Sequence, residues 1–188
     1  MNRLRMTLIA SAASLVFGAE VLAQAMSKEA YSAAEEQIEA TYKADKKACD
    51  SLSGNAEDIC VAEAKGKEKT AKAELEARYD PTEKNRYKAR LAKAEADYEV
   101  AKERCDDKAG NEKDVCVKEA KAAETKAKAD AEVAKETGKG AEQGAEARKE
   151  AAEDKREADY KVAREKCDAL SGDAKSQCVD AAKARYGQ

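Results

Sequence analysis

YEVAKERCDDKAGNEKDVC, residues 98–116, is the stretch whose reading decides the fold. The same frame recurs as YKADKKACDSLSGNAEDIC at residues 42–60 and as YKVAREKCDALSGDAKSQC at residues 160–178. In each copy a Tyr stands seven residues before the first Cys and an Asp follows that Cys. A Gly lies five residues after the first Cys, and the second Cys eleven after it. All six cysteines of the chain, Cys49, Cys60, Cys105, Cys116, Cys167 and Cys178, belong to these frames.

If Gly and the Asn or Asp after it form a turn, the two cysteines of a frame are equidistant from it: Cys49 is five before Gly54, and Cys60 is five after Asn55. Residues equidistant from the turn of an antiparallel helical hairpin face each other. The frame therefore predicts local bridges Cys49 to Cys60, Cys105 to Cys116 and Cys167 to Cys178, chosen by repetition from the fifteen pairings that six cysteines allow. Closing a loop of about 12 residues stabilises the hairpin by roughly 3 kcal/mol. The Tyr lies two turns up the same stripe, where it covers the space between the helices.

The flanking sequence is helical in character but poor in large apolar side chains. Alanine supplies 43 of the 188 residues, and from Met26 onward only 13 residues are Val, Leu or Ile. The remainder is mostly Ala, Glu, Lys and Arg, the strongest helix formers. Long helices meeting along narrow seams are expected, with an elongated, coiled-coil-like, all-α form. From Ser27 the stripe Tyr31, Ala34, Ile38, Tyr42, Cys49, Leu52 has near-heptad spacing. A second helix carries Cys60, Ala64, Ala71, Leu75 and Tyr79, with Gly66 as its weak point. At residues 80–83 (DPTE) Asp80 is expected to cap the third helix, with Pro81 in its first position. The third seam is Tyr87, Leu91, Ala94, Tyr98, Ala101, Cys105; the fourth is Cys116, Ala120, Ala123, Ala127, Ala131, Ala134. Residues 138–144 (GKGAEQG) read as a flexible glycine-rich joint. Such a joint would account for the longer spacing of the last repeat. The chain divides accordingly into hairpin 1 (26–79), hairpin 2 (80–137), the joint, and hairpin 3 (145–188).

The segment before hairpin 1 has a different character. Arg3 and Arg5 precede an apolar run at residues 6–18, and Ala23-Gln24-Ala25 follows. This is the order of a secretory signal peptide cut after Ala25, and 13 apolar residues fall short of the roughly 20 needed to span a bilayer. Residues 1–25 are thus expected to be removed, leaving no transmembrane anchor and placing the mature chain in the periplasm, where disulfides persist. Without Arg3, Arg5 and Glu20, the 36 basic and 39 acidic residues become 34 and 38. A balance this close to neutral offers no field for nucleic acid.

No grouping of residues points to a catalytic or metal site. There is no His and no C-x-x-C, so zinc, which takes four Cys or His ligands at close spacing, is not expected. No base or nucleophile is set apart from its neighbours, so the chain reads as a non-enzyme with no cofactor. Asp50, Asp106 and Asp168 read as exposed last-turn residues, the tyrosines as seam residues, and the charge runs as solvated helix faces.

A leader followed by repeated Y-x6-C-D-x3-G-x5-C-V frames, with tracts such as CVKEAKAAETKAKADAEVAKE (residues 116–136), resembles a group of small exported proteins of Gram-negative bacteria. Their usual labels are uncharacterised or, by analogy, TolA-like cell envelope biogenesis protein. TolA itself keeps a membrane anchor and ends in a globular partner-binding domain, so the resemblance implies envelope location and helical form only. The expected function is a structural or interaction role in the cell envelope. The alternative is a periplasmic stress-related holdase or small-ligand binder. The partners implied are an envelope protein, a peptidoglycan-associated partner or a second copy of the chain.

Overall fold

The computed structural model describes residues 26–188, so the leader expected at residues 1–25 lies outside it. Six helices follow one another: α1 (Lys28–Cys49), α2 (Asn55–Tyr79), α3 (Glu83–Cys105), α4 (Gly110–Thr137), α5 (Ala141–Cys167) and α6 (Gly172–Tyr186). No strand occurs among the described residues. Ser27 caps α1 by accepting the Ala30 N–H at 3.1 Å. At the start of α3 the cap is Thr82, which accepts the Asn85 N–H, and not Asp80 as the sequence suggested. Asp80 is otherwise engaged: its carbonyl and carboxylate accept the side-chain amide of buried Asn85 at 3.0 and 2.8 Å.

Each helix packs only against its neighbours in sequence. The fold is therefore a single layer of antiparallel helices, and the three Cys-bearing turns share one edge. The disulfides Cys49–Cys60, Cys105–Cys116 and Cys167–Cys178 sit at these tips with Cα separations of 5.6, 5.6 and 5.7 Å. The first Cys of each pair is fully buried. Asp50, Asp106 and Asp168 are the C-cap residues of α1, α3 and α5. The frame glycines adopt positive φ, 60° at Gly54, 54° at Gly110 and 56° at Gly172, a region closed to most side chains. They open the second helix of each hairpin instead of ending the first, because the chain leaves the C-cap through a short turn before reaching them.

The contacts between hairpins, α2 on α3 and α4 on α5, are more extensive than those within the clipped pairs. Gly66 explains the first. A Cβ added there would lie 3.1 Å from the Ala96 Cβ, so this glycine, a weak point for helix propensity, is what lets α3 approach. Counting from the cysteines, Ala122 and Ala158 hold the same positions at the α4–α5 contact, and both are buried.

The internal helices bury two faces, which a one-stripe reading misses. On α3, Ala96 meets α2 while Tyr87 and Tyr98 lie beneath Lys135 and Lys121 of α4. On α4 the buried set is Ala120, Ala122, Glu124, Ala129 and Ala131, and two alanines of the expected seam, Ala123 and Ala127, are exposed. The terminal helix α1 has one neighbour, and its stripe follows the expectation except for Leu52, which is 44% exposed.

The glycine-rich segment is a tight return and not a loose joint. Helix α5 begins at Ala141, four residues before the expected start, and a Cβ on buried Gly144 would come within 2.7 Å of Thr137 Oγ1. The turns at residues 80–82 and 138–140 are equally long. The longer repeat spacing is therefore helix: α4 and α5 have 28 and 27 residues, against 25 and 23 for α2 and α3.

Two substitutions measure these features in urea-unfolding experiments. Gly66→Leu should destabilise by about 1–3 kcal/mol through overpacking against Ala96. Replacing Cys105 and Cys116 together by Ser should cost roughly 3 kcal/mol and leave helix content by circular dichroism largely unchanged under native conditions.

Candidate interaction surface

The frame residues divide into those that hold each hairpin and those that join hairpins. Every frame Tyr contacts the second helix of its own hairpin. Tyr42 borders a groove with Ala64 and Glu68, Tyr98 lies under Lys121 at 5.0 Å, and Tyr160 packs on Tyr186 at 6.5 Å between ring centres. At the opposite end of hairpin 1, Tyr31 donates to Glu76 and stacks with Tyr79 at 4.6 Å. In the second and third frames the C-cap Asp also closes the turn: Asp106 pairs with Lys113 and Asp168 with Lys175, each at 2.9 Å. These aspartates are thus turn residues, in keeping with the sequence reading.

The junctions between hairpins are polar at the rim and small at the centre. Glu63 pairs with Arg104 across α2–α3 at 2.6 Å, and Glu119 with Lys166 across α4–α5 at 2.6 Å, from the same positions relative to the cysteines. Asn111, the residue after the frame glycine, donates to the Glu165 carbonyl at 3.4 Å, while Lys118 stands 3.7 Å from the Glu165 carboxylate. Beside the Gly66–Ala96 crossing lie two open grooves of about 250 and 650 Å³. Charged side chains border both, and those include the Glu63–Arg104 and Lys69–Glu95 pairs.

One ionic chain crosses three helices. Lys69 of α2 contacts Glu95 of α3 at 2.6 Å; Glu95 contacts Lys128 of α4 at 3.2 Å; Lys128 contacts Glu124 at 2.8 Å, and Lys121 completes the series at 2.7 Å. Glu124 is only 6% exposed. Burial pushes its carboxyl up, but hydrogen bonds from Lys121 and Lys128 outweigh that and hold it below the usual glutamate range. The Lys69 hydrogen bond lowers Glu95 against its own partial burial, and Glu124 raises Lys128. Sequence reasoning passed over this set, since each member is one charge among many and only the fold brings them together.

Among the described residues no cluster of His, Cys, Asp or Glu could hold a metal ion, and no helix is long and apolar enough to cross a membrane. Glu95 and Glu124 are each held between two lysines, so the ionic chain is a set of shared contacts between neighbouring helices. Among the described residues the exposed large apolar side chains are Leu52 and Leu170, each 44% exposed at the tips of hairpins 1 and 3, and Tyr79 at the far edge. No protein-family model, no curated protein and no solved structure matches the chain.

The ionic chain makes stability depend on acid. Glu95 and Glu124 have folded values below the ordinary 4.5. Their contribution is complete above that value and is lost as pH falls through and below it. Glu124→Gln should cost about 1–2 kcal/mol at pH 7, and the gap from the parent chain should close as the pH is lowered below that range. Thermal unfolding of both proteins across pH 2.5–7 reads this directly; a gap that stays constant would show that the carboxylate charge is not what matters.

Proposed function

We propose that the chain is a non-enzymatic, exported helical structural and contact protein of the bacterial cell envelope, TolA-like in composition and in helical form. The observation that carries this reading is the single-layer array clipped by three disulfides along one edge. A one-helix-thick layer spends little of its surface on a core and leaves both broad faces open to solvent. That suits spacing and contact more than enclosing a substrate. The bridges belong to an oxidising compartment, in agreement with the leader read at residues 1–25. A holdase would need contiguous apolar surface to offer a client. Leu52, Leu170 and Tyr79 are instead dispersed over separate turns.

Cell fractionation with thiol trapping tests location, and crosslinking in intact cells tests contact. The chain should appear in the periplasmic fraction with all six cysteines blocked before reduction, and should crosslink to envelope components. Recovery in the cytosol with free thiols would overturn the reading.

A further inference from the structure

The two internal junctions share a register that continues onto the free faces at the ends of the array. Six residues after the second Cys of a hairpin stand Gly66 and Ala122; nine before the first Cys of the next stand Ala96 and Ala158. These small residues form the centre of each junction, with the Gly66 position 3.1 Å from the Ala96 Cβ. On the unpartnered helices the same counts fall on Ala184 of α6 and Ala40 of α1, both exposed. The rim positions held internally by Glu63 with Arg104 and by Glu119 with Lys166 are Ala181 and Ala48 at the ends, again both exposed. A charge has been lost from both sides together, so neither face would bury an unpaired ion against the other.

The third correspondence is electrostatic. At the α4–α5 junction, Glu165, two residues before its Cys, receives Asn111 and Lys118 from α4. At the ends, the residue two before its Cys is Lys47, and those matching Asn111 and Lys118 are Asp173 and Asp180. The Glu165 and Lys118 charges are thus reversed at Lys47 and Asp180, and the neutral Asn111 is replaced by the acidic Asp173. All three are exposed; Lys47 makes no ion pair among the described residues, and Asp180 stands 3.4 Å from Lys183 of its own helix.

We propose that α6 of one copy packs antiparallel on α1 of a second copy, in the register by which α2 meets α3 and α4 meets α5, so that copies join head to tail. The contact is heterologous and does not close on itself, so it extends the layer into open chains. Helix α6 has 15 residues against the 22 of α1, so the N-terminal part of α1 stays uncovered and the association is weak. The inference deepens the reading of the helix faces as contact surfaces and rests on that reading alone, not on envelope location.

Sedimentation velocity of the protein with its three disulfides formed, from ~10 μM to ~1 mM, should show mass rising with concentration. Ala40→Arg and Ala184→Arg, both at exposed positions, should leave thermal unfolding unchanged and each weaken assembly by about tenfold or more. The first variant keeps a free α6 face and the second a free α1 face, so their mixture should form a dimer and stop there. Lys47→Glu alone should weaken assembly, and Asp173→Lys with Asp180→Lys should restore it. A chain that stays monomeric throughout overturns the proposal, as does a mixture that fails to dimerise. Loss of assembly with Ala40→Arg but not with Ala184→Arg would also overturn it, since that pattern marks a symmetric α1–α1 contact. A monomer that still crosslinks to envelope proteins in cells would sink this inference and leave the proposed function standing.

Discussion

The structure depends on closing each hairpin where its packing is weakest. A clipped pair such as α1 and α2 meets along one stripe in which Ala34 and Ala64 alternate with a few larger side chains. At about 25 cal/mol per Å² of apolar area, such a stripe offsets only part of the entropy of ordering two helices of more than 20 residues. The disulfides act on the other side of that balance, by restricting the unfolded chain. Their placement follows the same logic: the bridges lie within the pairs with the smaller contacts, while the more extensive α2–α3 and α4–α5 junctions carry none.

With so little apolar area, ionic and small-residue contacts take over tasks that a core would otherwise perform. Among the described residues Leu75 is the one large aliphatic side chain fully shielded from solvent. Between α3 and α4 a buried carboxylate, Glu124, sits where a leucine would be expected, and two lysines with long stems cover it. Isolated surface ion pairs contribute little, but here the members are shared. Lys128 serves Glu95 and Glu124, and Glu95 serves Lys69 and Lys128, so each link orients the next. Specificity of register comes from these links, since alanine seams by themselves tolerate sliding.

Much of the fold was legible because the repeated frame fixes three things at once: a positive-φ glycine, two residues equidistant from a turn, and a Tyr on the same stripe. All three disulfides and the hairpin order follow from it. What escaped the sequence are features that need a second neighbour. Ala122, Glu124 and Ala129 of α4 lie off the single stripe that a heptad reading traces, because an internal helix of a layer has two partners and buries two faces. Gly66 reads as a helix weakener and Gly144 as part of a flexible joint until Ala96 and Thr137 are seen against them. The additional residues of the last repeat likewise look like a linker by composition, yet they lengthen α4 and α5 by about one turn each.

A layer in which every helix touches only its chain neighbours behaves as a one-dimensional system, with stability that is a sum of hairpin and junction contributions. Each disulfide then sets the intrinsic stability of one unit, and each small-residue crossing sets one coupling between units. Terminal units of such arrays ordinarily need a polar outer face to stay apart. The outer face of α1 carries the exposed charges Glu36, Lys43 and Lys47, while Glu39 reaches Lys72 of α2. Among its exposed alanines are Ala33, Ala40, Ala44 and Ala48, and two of these, Ala40 and Ala48, stand at the positions where the internal junctions make their contacts. A face designed only for solvent has no reason to keep those two in register with Ala184 and Ala181 at the far end, whereas a face that continues the array does.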